Sequence, residues 1–544
     1  MIVPGSANPL LLAQSADPLD EFGVVARSIR CRSAASALIS RTPGVAGNRQ
    51  TWAARFYVKR GTLGVFQALM DATPATPATE NTWLAFTATD QLQFCQQTAN
   101  VHVGEKVTNR VFRDTAAHIE IEIVFDSTNA VAADRMRIYI NGVRETSFAT
   151  SVDIAQNALS YVNAANVHYI GGAPGTGIGY FDGLISSVVI TDGTMPDPSV
   201  FGQVHARTGQ RRPKSKAAIK AIADAGGTNS VFLTFDDPTN TTTLCADASS
   251  KGNNWTSTNI SLTAGITYDS LIDTPTNNFP VLNATYAAYG TAAGNITEGG
   301  LKFASSSTYH FTPCTIPLPA KGQWVAEFVP QDTVSIIGLA DLDNGSGSSQ
   351  NIGSGLGWYG SILYTGNASA VQSGLATQAA NDIITVAVDM DALSAKWYQN
   401  GVLRITQALT AGKRYAFACG DYYAPGATSC FANFGQRAFS YAPNGYKALS
   451  TKNLPVNPGG PMKSTNAFVA VADTGVNILS TLAAARSGWS SYIDIIKRRD
   501  TAEGWRLIFS DDPTYYLDWS GVAAKAAIPA FGGTSYGGVS LKVG

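Results

Sequence analysis

In the stretch HIEIEIVFD, residues 118–126, Ile119, Ile121 and Ile123 alternate with Glu120 and Glu122. Side chains of an extended chain leave on opposite faces with period two, so the pattern predicts a strand with one face in a core and the other in water. Downstream, Met136, Ile138 and Ile140 share one face, and Arg135, Arg137 and Tyr139 the other. Asn141-Gly142 follows. Both residues tolerate positive φ, which a two-residue type I′ turn requires, so residues 135–148 read as a hairpin. A near copy, AKWYQNGVLRIT (395–406), runs Trp397 and Tyr398 into Asn400-Gly401 and predicts a second hairpin.

The same periodicity predicts strands at 51–60, 82–88, 91–95, 167–172 and 179–191, then at 322–330, 334–340, 383–391, 414–420 and 429–435, and finally at 492–499 and 504–511. Turn residues separate most of these runs, as in sandwiches of short strands. One good helix pattern stands in the first half, RRPKSKAAIKAIADAGG (211–227), with Pro near its start and Gly226-Gly227 as a stop. After one strand at 231–235, the Thr-, Asn- and Asp-rich chain to 290 reads as an irregular connector held by Asx and Ser/Thr turns. The fold class expected is all-β, with tandem β-sandwiches. The division reads as an N-terminal arm (1–22), a first sandwich (23–206), a linker with a short helix (207–290), a second sandwich (291–445) and a small C-terminal β domain (446–544).

Composition agrees. A chain of 544 residues exceeds a single core. Charged residues make up only 14% and the net charge is −1, which argues against a nucleic-acid-binding surface. The basic cluster Arg211, Arg212, Lys214, Lys216 and Lys220 reads as a solvated helix face. The six cysteines include no C-x-x-C pair and read as small buried hydrophobes, and the five histidines are dispersed. The N-terminal apolar patch is too short for a membrane span and lacks a basic flank, so the chain reads as soluble, with no membrane insertion.

The search for chemistry returns little. G-x-S-x-G, P-loop and G-x-G-x-x-G motifs are absent, and GAPGTGIG (172–179) lies between two strands with no helix after it to make a phosphate cradle. Glu120 and Glu122 share a face, the outer one of their strand, and read as solvated rather than as a glycosidase pair. Candidate ligand-binding residues are aromatic: Trp358, Tyr359 and Tyr364 in GWYGSILY, and Tyr422 and Tyr423 in GDYYAPG. Exposed rings stack on sugar faces or anchor protein contacts.

The stretches SRTPGVAGNRQTWAARFYVKRG (40–61), VFRDTAAHIEIEIVFDSTNAVAADRMRIYINGV (111–143) and YIGGAPGTGIGYFDGLISSVVITDG (169–193) resemble the laminin-G-like, concanavalin A-like domains of tailed-phage virion proteins. LIDTPTNNFPVLN (271–283), GQWVAEF, VAVDMDALSAKWYQNGV (386–402) and NFGQRAFSYAPNGYKALSTKNLP (433–455) resemble the SPRY-like sandwiches of the same proteins, and IIKRRDTAEGWRLIFSDDPTYYLDW (495–519) resembles a small β domain that follows them. The resemblance departs at 211–227, where a shorter, Pro-rich link is expected. It implies binding and display modules rather than catalysis. It implies a virion protein, a tail fibre or similar appendage that binds a host-surface glycan or protein. The arm at 1–22 would attach to other virion proteins, and the appendage would be a homotrimer or other homo-oligomer. Alternatives are a capsid fibre or decoration protein, and a polysaccharide hydrolase. No cofactor is expected beyond calcium, which concanavalin A-like domains often hold through rim carboxylates and amides; Asp126, Asn129, Asp134 and Asp182 are candidates by type.

Overall fold

The computed structural model describes residues 23–454 except 75–78, 205–210, 287–295, 306–309, 344–353, 367–368 and 422–427, together with six strands of residues 468–542. Among the described residues, those up to 204 and 211–454 form one compact unit, which contains both sandwiches; the strands of 468–542 belong to a second. The fold is all-β, in tandem sandwiches. The expected arm at 1–22 lies outside the described residues.

In the first sandwich one sheet runs in the order Val143–Arg144, Met136–Ile140, Ile119–Asp126, Thr51–Arg60, Gly183–Asp192, Ser28–Cys31 and Ser270–Leu271. The facing sheet runs Phe148–Val152, Val101–Val111, Gln91–Thr98, Asn81–Phe86, Gln67–Thr73, Val167–Ile170, Leu38–Arg41 and Thr256–Thr258. Between them lie the apolar positions of the alternating pattern. Trp52 stacks on Phe125 at 5.6 Å and meets Phe94 edge-on at 5.8 Å, and Ile121, Ile123 and Ile138 are fully buried beside them. Burial of each such side chain stabilises by about 1.5–3 kcal/mol.

The other face of the first sheet departs from expectation. Glu120 and Glu122 are buried, as are Arg55, Tyr57 and Lys59 on the neighbouring strand. Residues 198–204 and 211–225 pack over this face. Arg211–Pro213, expected to be helical, pairs with Gly202–Val204 as a two-stranded sheet. The helix begins only at Lys216, capped by Ser215, whose side chain accepts from the Ala218 N–H, and it ends at Ala225 before Gly226. Its Ile219 and Ala223, one turn apart, pack against Val189, Phe201 and Phe232. Arg211, read as solvated, pairs with Glu120, and Arg55 holds the same carboxylate at 2.9 Å. A bulge in Gly183–Asp192 turns Ser187 (φ +48°) toward Arg55, which donates to its carbonyl and hydroxyl at 3.2 and 2.9 Å.

The strand read at 231–235 forms over Val231–Leu233, and the stretch read as an irregular connector supplies two more. Val231–Leu233 pairs with Gly183–Asp192, Thr256–Thr258 with Leu38–Arg41, and Ser270–Leu271 with Ser28–Cys31. Asx turns do organise the chain between them. Asp247 accepts from the N–H groups of Phe232, Ser249 and Asn253, and Asn240 caps the short Thr241–Leu244 helix.

The second sandwich has one sheet ordered Ile296–Thr297, Lys302–Ser305, Thr428–Asn433, Gln323–Pro330, Ile384–Asp389, Ser394–Gln399 and Val402–Ala408. The other is ordered His310–Pro313, Tyr415–Asp421, Ser335–Asp341, Leu356–Tyr359, Ile362–Thr365 and Ser369–Gln372. Trp324, Trp358 and Trp397 anchor its core, and Leu63, Leu184 and Leu271 of the first sandwich join the same apolar cluster.

Both Asn-Gly hairpins form. Asn141 and Gly142 have φ of +51° and +77°, and Asn400 and Gly401 +50° and +82°. Each Asn does a second job. Asn141 exchanges hydrogen bonds with the backbone of Glu120, and Asn400 with that of Ile383, so each turn is tied to the start of the adjoining strand. In the second unit six antiparallel strands form one sheet, with Tyr536–Lys542 between Phe468–Asp473 and Tyr492–Arg498.

Candidate functional site

Buried ionic contacts gather where the chain passes from the first sandwich to the second. Lys59, fully buried, donates to Asp273 Oδ2 at 2.8 Å, to Asn278 Oδ1 at 2.8 Å and to the Phe279 carbonyl at 2.6 Å. His118 Nε2 lies 3.1 Å from the other Asp273 oxygen. Burial pushes the Asp273 carboxyl up, but Lys59 and His118 outweigh it and leave it below the ordinary carboxylate value. Arg30 and Arg32 converge on Asp269 at 2.9 Å each. Asp182 accepts from the N–H groups of Glu298 and Gly299 at 3.0 and 2.7 Å, so a carboxylate of the first sandwich caps a turn at the entrance to the second.

Beside this junction opens a cleft of about 710 Å³, lined by both sandwiches, within the size range of ligand sites. Its wall on the second sandwich is the loop after Thr428–Asn433. Gln436 fixes that loop by accepting from the Phe434 N–H at 2.7 Å and donating to the Pro280 carbonyl at 2.8 Å, while its own carbonyl accepts from the Ile272 N–H. The Glu327 carboxylate then receives the N–H groups of Ser440 and Tyr441 at 2.8 and 2.6 Å. Burial raises the Glu327 pKa, and those two donors oppose the rise.

Half-buried Tyr268, Phe439 and Tyr446 give the cleft aromatic surface, and Arg27 and Arg437 give it positive charge. Arg437 donates through Nη2 to the Ala432 carbonyl at 3.3 Å, while its Nη1 is buried with no partner among the described residues. Burial, reinforced by the nearby Arg30 charge, pushes its pKa down to about 9. The Arg27 and Arg437 charges beside aromatic rings suit a ligand that offers acceptor oxygens and an apolar ring face.

None of the cleft residues was singled out from sequence. Their signal was present: NFGQRAFSYAPNGY carries aromatic and Arg residues in a Gly- and Pro-punctuated loop, the same criterion that selected GWYGSILY. Of the residues that were selected, Trp358 is a correction. It is fully buried, with its Nε1 donating to the Gly360 carbonyl at 3.0 Å, because alternation along Leu356–Tyr359 turns it into the core. Tyr359 and Tyr364, half-buried, sit together on the opposite face with ring centres 6.3 Å apart. Tyr422 and Tyr423 lie outside the described residues.

The calcium candidates do not fit a cation. Asn129 aims its amide NH₂ at Asp126, which also accepts from Thr128. Asp134 is paired with Arg144, and Asp182 is occupied by backbone N–H groups at the junction. Glu120 and Glu122 are sealed beneath Arg211 and the segment that carries it. Burial, with the Glu120 charge adding to it, pushes the Glu122 pKa up to about 8. All six cysteines are buried and unpaired.

No helix among the described residues is long and apolar enough to cross a membrane. No protein-family model and no curated protein matches the chain. It is similar to solved structures that include mouse laminin alpha1 chain domains LG4-5 (9% identity, 75% of this chain and 83% of that one, TM-score 0.28). A SAP-like pentraxin from Limulus polyphemus is similar at 13% identity, over 32% and 78% of the two chains, with TM-score 0.25. The SPRY domain of human HERC1 is similar at 15% identity, over 25% and 89%, with TM-score 0.22.

Proposed function

We propose that this chain is a structural protein of a tailed-phage particle, a tail fibre or similar appendage, and that it binds a host-surface carbohydrate in the junction cleft. The observation that carries the binding reading is the cleft itself, with three rings and an incompletely paired Arg437 held on two sandwiches that share a core. A rigid pair of domains pre-organises such a site, which lowers the cost of binding. The virion setting rests on the resemblance of the three β units in their order. In this reading residues 1–22 attach the appendage to other virion proteins, the assembly is a homo-oligomer such as a trimer, and the chain carries no catalysis. The inaccessibility of Glu120 and Glu122 supports that last point.

The test is localisation and competition. Antibody against the full chain should label tail tips or side fibres in electron micrographs, and purified chain should compete with phage adsorption. Label spread over the capsid would favour the decoration reading, and absence of label from every particle would sink the virion reading.

A further inference from the structure

On the outer face of the first sandwich's second sheet, three side chains of different chemistry converge. Cys95 and Glu105 are directly opposite one another on the antiparallel strands Gln91–Thr98 and Val101–Val111. The turn between those strands uses Ala99 and Asn100 at φ +51° and +62°. A register shift between Gln96 and Gln97 then brings His102 onto the same face. One ligand atom from each of Cys95, His102 and Glu105 lies within 4.8 Å of the others. Among the described residues this is the one group of three such side chains so placed.

We propose that Cys95, His102 and Glu105 bind a zinc-type divalent cation. A thiolate, an imidazole and a carboxylate make a borderline-soft donor set that suits Zn²⁺ and disfavours Ca²⁺ and Mg²⁺, which take oxygen ligands. Bonds of about 2.0–2.3 Å in a tetrahedron put donors roughly 3.3–3.8 Å apart, so the group needs a small contraction. His102 can supply it, since its side chain is 40% exposed and lies at the rim. Its Nδ1 is already 3.2 Å from Glu105 Oε2. On binding, the cation takes the place of the thiol proton and of any proton shared by His102 and Glu105, and those protons pass to solvent. No oxidant or reductant is involved.

Two further features point the same way. The carboxylate is oriented by a relay in which Gln93 Nε2 donates to Glu105 Oε1, and Trp83 Nε1 donates to Gln93 Oε1 at 3.0 Å. Such outer contacts hold metal ligands in place. The three donors also leave one tetrahedral position open, and His102 lines a cavity of about 170 Å³ shared with Trp83, Gln93 and Asn81. Asn81 is buried and its Oδ1 has no partner among the described residues. A water or hydroxyl group on the fourth position would find an acceptor there.

The experiment uses the full-length chain, stripped with chelator under a non-thiol reductant, and titrated with Zn²⁺ and with Co²⁺ alone. The expected result is one equivalent bound per chain and a thiolate-to-cobalt charge-transfer band. Cys95→Ala should abolish the band. His102→Ala should weaken binding at least tenfold, and Gln93→Leu by about tenfold. His102 is at the surface, so its variant decides the matter even if Cys95→Ala fails to fold. No bound equivalent, or binding that His102→Ala leaves unchanged, would overturn the proposal.

Discussion

Replacing Asp273 with Asn keeps the side chain's shape and removes the charge that faces Lys59. Both groups are completely buried and 2.8 Å apart. At an effective dielectric of about 20, that separation corresponds to a gross attraction of about 6 kcal/mol. Desolvation offsets part of it, and breaking buried pairs on one side costs about 3–5 kcal/mol. A second route caps the loss. At pH 7, taking the proton off a lysine with an ordinary pKa of about 10.4 costs about 4.6 kcal/mol, after which the neutral amine needs no counterion. Burial already holds the Lys59 pKa below its ordinary value.

The unfolded chain of the variant then binds more protons than the folded one, so its stability rises with pH up to the ordinary lysine value. The deficit should shrink as pH rises from 7, by up to about 1.4 kcal/mol per pH unit, and level off where the wild-type Lys59 itself loses its proton. Urea unfolding of the full chain, followed by tryptophan fluorescence at several pH values, measures both quantities. Asp273→Leu combined with Lys59→Met should recover only part of the loss, because Asn278 Oδ1, the Phe279 carbonyl and His118 Nε2 lose their partners. A deficit at pH 7 below about 1 kcal/mol, or one independent of pH, would refute the reasoning.

Other predictions are as direct. Glu122 has a folded pKa raised to about 8, so its stabilising protonated form is fully present below about pH 4.5 and is lost as pH rises through 8. Glu122→Gln should therefore leave stability unchanged at acid pH and raise the melting temperature at pH 8, which calorimetry checks. A Cβ on Gly338 would stand 1.9 Å from the Leu356 carbonyl oxygen, a backbone atom that cannot step aside. Gly338→Ala should cost at least about 1–3 kcal/mol by overpacking, read as a lower urea midpoint. Through the outer-face metal site, chelator should lower the melting temperature of the wild-type chain and leave that of His102→Ala unmoved.

Local pattern was readable wherever one physical cause dominated. Ile119, Ile121 and Ile123 point into a core because alternation leaves no other choice, and Asn-Gly requires a hairpin because few other pairs accept positive φ twice. What failed was partnership. Glu120 and Glu122 read as solvated because their cover, the segment carrying Arg211, lies about 90 residues away, and a basic run looks the same in water as against a buried carboxylate. Ser270–Leu271 is too short to announce a strand, and only Ser28–Cys31 makes it one. The Gly-rich surroundings of Trp358 suggest exposure, but its alternation with Tyr359 puts the two rings on opposite faces. The Cys95, His102 and Glu105 group was hidden in a different way. Metal-ligand spacings are legible along a chain, and these residues meet across a hairpin. Reading Gln91–Thr98 and Val101–Val111 as a hairpin would have placed Cys95 opposite Glu105.

The central claim is that the junction cleft binds a host-surface carbohydrate. Its most direct test is a bacterial-glycan array probed with the full-length chain, beside Arg437→Ala and Tyr446→Ala. The account predicts a defined set of bound saccharides, with both variants at least tenfold weaker on that set and with unchanged circular dichroism. Binding that survives both substitutions would place the site elsewhere, and an array with no bound saccharide would contradict the carbohydrate reading itself.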